Sequence, residues 1–235
     1  MNLTMVKNRG REAGFTLMEI LVSLVILSII MGSAYAAFSA MVGSEQTMGP
    51  MLRNLKEARR AMTWLTRDLT ATVVSLPPAY RRPEAFEDEK DPFYFEAWET
   101  LVGDKRMSGL RFAADAHLPL YGSSLRGVAR IGYTIEEAAE GTWALYRSDD
   151  LHPYPDPEKD TVRRFLVCSH LQAFTLEFLD DRGEWQREWQ SEEERYGWAT
   201  PRAVRIRLEV GKGPDARRME TEILIPVRRN SQGEV

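Results

Sequence analysis

Glu19 is the residue whose chemistry is least in keeping with its surroundings. It stands inside the apolar run Phe15-Thr16-Leu17-Met18-Glu19-Ile20-Leu21-Val22. At the middle of a membrane-spanning helix an ionised carboxylate costs roughly 2.5–3.5 kcal/mol on insertion scales. The cost is smaller near a helix end, yet a plain anchor would still gain from leucine at this position. A charge kept in such a place calls for a partner, and an ammonium group is the obvious one. Cutting the chain after Gly14 would create one, on the new terminus Phe15.

No other group of residues in the sequence has the spacing of an active site. His117, His152 and His170 lie in unrelated contexts, without the His-x-x-x-His step that puts two imidazoles on one helix face. A Gly-x-Ser-x-Gly elbow and a phosphate-cradling glycine loop are both missing. Asp149-Asp150 and Asp180-Asp181 fall in turn-like stretches, where carboxylates commonly accept backbone amides. Cys168 is the one cysteine, so an internal disulfide is excluded and burial as a small apolar residue is expected. The polar, proline-punctuated stretch from Arg81 to Pro92 reads as a solvated acidic loop. Its acids at 84–91 lack the spaced carboxylates and turn glycine of a calcium-binding loop. Neither enzymatic chemistry nor a metal or cofactor is expected.

A helix must hold Glu19. The 24 positions from Phe15 to Phe38 are dominated by Leu, Ile, Val, Met, Phe and Ala. At 1.5 Å per residue they reach about 36 Å, enough to cross a ~30 Å hydrocarbon core. Ahead of them Lys7, Arg9 and Arg11 outweigh Glu12, which holds that end in the cytoplasm and sends the remainder outward. A secretory signal peptide is the competing reading, since Ala34-Tyr35-Ala36 resembles a small-x-small cleavage site. A carboxylate inside the apolar region argues against it, and an uncut anchor does not account for Glu19 either.

The rest of the 235 residues has ordinary globular composition, 43% hydrophobic and 28% charged, with a formal charge of −4. Loss of the basic segment would make it more acidic, which opposes nucleic-acid binding. Met51, Leu55, Ala58, Met62, Leu65, Leu69 and Val73 step by three and four, one face of a helix. Arg53, Lys56, Glu57, Arg60, Arg67 and Asp68 fall on the opposite, polar face. Gly49-Pro50 predicts a kink or short break in the path, and Pro77-Pro78 its end. Beyond, apolar residues alternate over 129–135, 174–178, 204–210 and 219–227, separated by turns such as Asp180-Asp181-Arg182-Gly183 and Gly211 to Asp215. A helix followed by strands alone predicts an α+β architecture with antiparallel hairpins. The expected organisation is a leader 1–14, a membrane helix 15–42, an amphipathic helix 43–76 and a β-rich head 77–235.

A basic leader, then Gly14-Phe15-Thr16-Leu17-Met18-Glu19, then an unbroken apolar helix resembles the class III signal of type IV pilins and type II secretion pseudopilins. The resemblance implies that a prepilin peptidase cuts between Gly14 and Phe15 and methylates the Phe15 amine. It implies that Glu19 meets the amine of a neighbouring subunit during assembly. Leu145-Tyr146-Arg147, the stretch from Phe178 to Trp185 with Trp189, and Pro201-Arg202-Ala203-Val204-Arg205-Ile206 are similar to the J-type minor pseudopilin. That subclass implies a place at the tip of a pseudopilus with I-, K- and H-type minor subunits and the major pseudopilin. There it would prime assembly, support protein export, and engage secreted substrate or the secretin, with the head in the periplasm. A minor pilin of a type IV pilus or DNA-uptake pseudopilus is the nearest alternative.

Overall fold

The computed structural model describes residues 16–74, 91, 93–118, 126–138, 142–151, 164–211 and 216–230, with 42–48 and 50 as backbone only. The chain divides after Pro50 into two units. A single helix, α1, runs from Leu17 to Thr70. Helical backbone continues through Gly49-Pro50, so of the expected kink or short break the break does not form. Proline removes one amide donor and crowds one carbonyl. The turns on either side still make their own hydrogen bonds.

The helix also stops earlier than the apolar spacing predicts, at Thr70. Thr70 Oγ donates to the carbonyls of Thr66 and Arg67 at 2.9 Å each. The next residues are claimed by the sheet: Val73 N–H donates to Ala113 O and Asp115 N–H to Ala71 O, both at 2.9 Å. Thr72 forms a bridge with Ala114. β-Branched Thr72, Val73 and Val74 suit that extended path better than a helix.

Among the described residues nine strands form one antiparallel sheet. They are β1 (Glu96–Val102), β2 (Lys105–Ala114), β3 (Ala129–Glu137), β4 (Trp143–Leu151), β5 (Arg164–Leu179), β6 (Trp185–Gln186), β7 (Trp189–Gln190), β8 (Ala203–Val210) and β9 (Arg217–Leu224). Their order is β7-β1-β2-β3-β4-β5-β8-β9, with β6 paired to β5. An apolar helix ahead of an antiparallel head is the α+β arrangement expected. The alternation in β5 and β8 buries Phe174, Leu176 and Phe178 with Val204, Ile206 and Leu208. Ala58, Ala61, Leu65 and Leu69 of α1 lie in the same core. Burying each large side chain contributes about 1.5–3 kcal/mol, and the two alanines let helix and sheet approach closely.

Three sequence expectations change here. Asp149 and Asp150 lie within β4, not in a turn. Asp68 is fully buried, although the helical pattern puts it on the polar face. Asp91, the end of the expected solvated loop, is also buried and pairs with buried Arg229 from near the C-terminus. Arg229 Nη2 donates to Phe93 O at 3.2 Å, and Arg229 N–H to Thr200 Oγ1 at 3.0 Å. A buried carboxylate is stable when paired and hydrogen-bonded, which is why this acid leaves the loop pattern. Residues 84–90 of the acidic loop lie outside the described residues, as do Pro77-Pro78 and 212–215. The turn at Asp180 forms as expected: its Oδ1 accepts the amides of Arg182 (3.0 Å) and Glu184 (2.7 Å), and Gly183 takes φ of +86°.

Candidate functional site

The start of α1 is built by four residues, Thr16-Leu17-Met18-Glu19. Thr16 stands just before the first helical residue, and its Oγ1 accepts the Glu19 N–H at 3.3 Å. In return Glu19 Oε2 accepts the Thr16 N–H at 3.3 Å and the Thr16 hydroxyl at 3.4 Å. This reciprocal pairing is a capping box; the Glu19 N–H also donates to Thr16 O at 3.0 Å, and the carboxylate satisfies the Thr16 amide that the helix start leaves over. A negative charge there also favours the positive end of the helix dipole. The hydrogen bonds all fall on Oε2; Oε1 has no partner among the described residues. Sequence reasoning assigned Glu19 to assembly and missed this local role, although Thr-x-x-Glu before an apolar run carries the signal. Gly14 and Phe15 lie outside the described residues.

Beyond the cap the helix is apolar all round. Leu17–Met41 is long and apolar enough to cross a membrane, and its large side chains are exposed in the isolated chain. Glu19 is its one acidic or basic residue. The polar hydroxyls fold back onto the helix: Ser23 Oγ donates to Glu19 O and Ser28 Oγ to Leu24 O, both at 2.7 Å. With those donors satisfied, the surface suits lipid or neighbouring apolar helices.

The other polar centre lies where the second half of α1 packs on the sheet. Arg147 on β4 is fully buried. Its Nε donates to Asp68 Oδ2 at 2.6 Å, its Nη1 to Asp149 Oδ2 at 2.9 Å and its Nη2 to Ala116 O at 2.9 Å. Tyr133 donates its hydroxyl to the same Asp68 oxygen at 2.7 Å. The guanidinium lies 5.4 Å from the Trp64 ring and 5.5 Å from the Phe165 ring. Burial works to discharge Arg147, but hydrogen bonding and charge from Asp68 outweigh it and hold the group more basic than usual. Burial, reinforced by the Asp68 charge, pushes the Tyr133 phenol well up. The mutual pairing and full burial of Arg147 and Asp68 give the cluster a structural character.

The two described histidines, His117 and His170, keep separate partners. His117 Nδ1 lies 2.7 Å from Asp149 Oδ1, whereas His170, in β5 with φ of +55°, contacts Ser169 Oγ at 2.8 Å. His152 lies outside the described residues. Cys168 is buried as expected, and burial, with the nearby Glu57 charge and against that of Arg60, pushes its thiol up to about 12. Among the described residues no group of three or more His, Cys, Asp or Glu is placed to hold a metal ion.

Residues 36–220 match the family model for type II secretion system (T2SS), protein J. Residues 9–35 match the prokaryotic N-terminal methylation motif. The chain is 24% identical over 210 residues to the type II secretion system protein J of Vibrio cholerae serotype O1 (strain ATCC 39315 / El Tor Inaba N16961), covering 87% of this chain and 85% of that protein.

Proposed function

The chain belongs to the type II secretion system protein J family and is a minor pseudopilin anchored by one apolar helix, and from that premise we propose how it is processed and assembled. A prepilin peptidase removes residues 1–14 between Gly14 and Phe15 and methylates the Phe15 amine. Residues 15–42 then hold the chain in the inner membrane, residues 43–76 carry the path onto the head, and residues 77–235 form the head in the periplasm. The subunit joins I-, K- and H-type minor pseudopilins and the major pseudopilin at the pseudopilus tip. There it primes assembly and supports protein export, meeting secreted substrate or the secretin. Its role is structural, with no catalytic step, cofactor or nucleic-acid partner.

The observation that carries this reading is the position of Glu19 at the head of the otherwise uncharged span Leu17–Met41. Oε2 is held by Thr16, and Oε1 is left to accept from the amine of a neighbouring subunit. A carboxylate that gains a cation only in the filament makes leaving the bilayer conditional on docking. Glu19→Leu should leave membrane insertion and processing intact while the subunit disappears from sheared pseudopilus fractions. Full incorporation of that variant would contradict the assembly role. The mass of the mature chain tests the processing step separately: it should begin at a methylated Phe15.

A further inference from the structure

β9 is the last strand of the sheet, and no strand among the described residues pairs with its far side. Between that edge and α1 lies an open groove of about 810 Å³, lined on the helix by Arg59, Met62 and Arg67 and on the strand by Met219 and Thr221. Thr63 and Thr66, also in its wall, donate their hydroxyls back to Arg59 O (3.0 Å) and Met62 O (2.8 Å), which leaves their methyl groups to make contacts. The two methionines give the groove an adaptable apolar lining.

Its charge is one-sided. Neither Arg59 nor Arg67 has a carboxylate partner among the described residues; the Arg67 guanidinium lies 5.8 Å from the Trp64 ring. On the strand side, Glu220 is already held by Arg207 at 3.1 Å and Arg218 at 3.4 Å, so it does not neutralise the helix arginines. An open strand edge offers backbone donors and acceptors to an incoming strand, and side-chain pockets then select which one.

We propose that this groove and the β9 edge take up an extended segment of a partner protein, apolar at alternate positions and carrying carboxylates toward Arg59 and Arg67. The incoming strand pairs with the β9 backbone, places its apolar side chains over Met62 and Met219, and neutralises the two guanidinium groups. A second copy of this chain fits less well, since adding β9 to β9 would bring Arg217 toward a groove that is already basic. The inference rests on the pseudopilus reading only in requiring an assembled filament.

The test uses the full chain in its assembled secretion system, with a photo-reactive side chain at the groove (Thr63→benzoylphenylalanine or Met219→benzoylphenylalanine) and, as control, at the opposite side of the sheet (Leu101→benzoylphenylalanine). Mass spectrometry of the adduct identifies the peptide that is captured. The groove positions should capture an acidic segment with alternating apolar residues, and Arg59→Glu with Arg67→Glu should cut the yield by about tenfold without changing thermal unfolding. Both arginines are exposed, so folding should survive the change. Capture of an apolar helix, capture of a second copy of this chain, equal yield from the double variant, or no adduct in filaments that contain the subunit would each overturn the proposal. Absence of the subunit from filaments would instead count against the pseudopilus reading.

Discussion

Arg147 and Asp68 meet at 2.6 Å with neither side chain exposed, although they stand 79 positions apart in the sequence. The pair joins the polar-looking side of α1 to the centre of the sheet. Asp68 Oδ1 has no hydrogen-bond partner among the described residues, so Asp68 meets both Arg147 and Tyr133 through the single oxygen Oδ2.

Breaking this pair should be far worse than replacing it. Asp68→Ala leaves a buried guanidinium short of a counter-charge and should destabilise the head by about 3–5 kcal/mol, whereas Asp68→Leu with Arg147→Met should recover most of that. Denaturant unfolding of the full chain in detergent measures both. Equal loss in the single and double variants would show that geometry, not charge, sets the stability here.

Cys168 gives the head an alkaline weakness. Its thiol ionises near the ordinary 9.0 when unfolded and only near 12 when folded, because burial opposes the thiolate and Glu57 adds to that against Arg60. The folded form therefore keeps its proton over an interval in which the unfolded form has lost it. The contribution is fully present below about 9 and declines as pH rises toward about 12. Unfolding measured across that range should show a steeper alkaline loss in the parent chain than in Cys168→Ala. Identical slopes would refute the assignment.

Gly109 on β2 lies under the Trp98 ring, which crosses from the register partner on β1. A Cβ at Gly109 would stand 2.3 Å from the indole. Gly109→Ala should cost about 1–3 kcal/mol by overpacking, and much of that should vanish in a Trp98→Ala background. The coupling is read from a double-mutant cycle of unfolding free energies; strict additivity would mean the ring moves aside freely.

Thr16→Ala removes one half of the capping box while leaving the Glu19 carboxylate in place. The loss should be about 1 kcal/mol at the helix start, or about fivefold faster exchange of the first helical amides. Exchange of Leu17, Met18 and Glu19 in a bilayer mimic, read against residues near Leu27, reports it. Unchanged exchange would mean that the surrounding apolar phase alone holds the first turn.

Glu19 was legible because its neighbours are uniformly apolar, and the strands at 129–135, 174–178 and 204–210 because one face of each is polar. β2 escaped because both its faces are covered: Met107 and Ala113 are as buried as Leu110 and Phe112, so no alternation survives. β4 was obscured by Asp149-Asp150, whose charges are taken up by Arg147 and Arg130. Asp68 has a helical spacing that puts it with the solvated residues, and it is the distant Arg147 and Tyr133 that hold it inward. Local patterns report which face is wet; they carry no record of a partner that arrives from another part of the chain.

The contact of Asp91 with Arg229 draws one of the earliest residues of the head against one of the last. A polypeptide emerging from the translocon can pair β1 with β2 and β3 with β4 as each hairpin appears, but the acid at the threshold must wait until nearly the whole message has been read. A chain cut short before Arg229 would leave the Asp91 carboxylate without the guanidinium that pairs with it, and an unpaired buried charge costs about 3–5 kcal/mol.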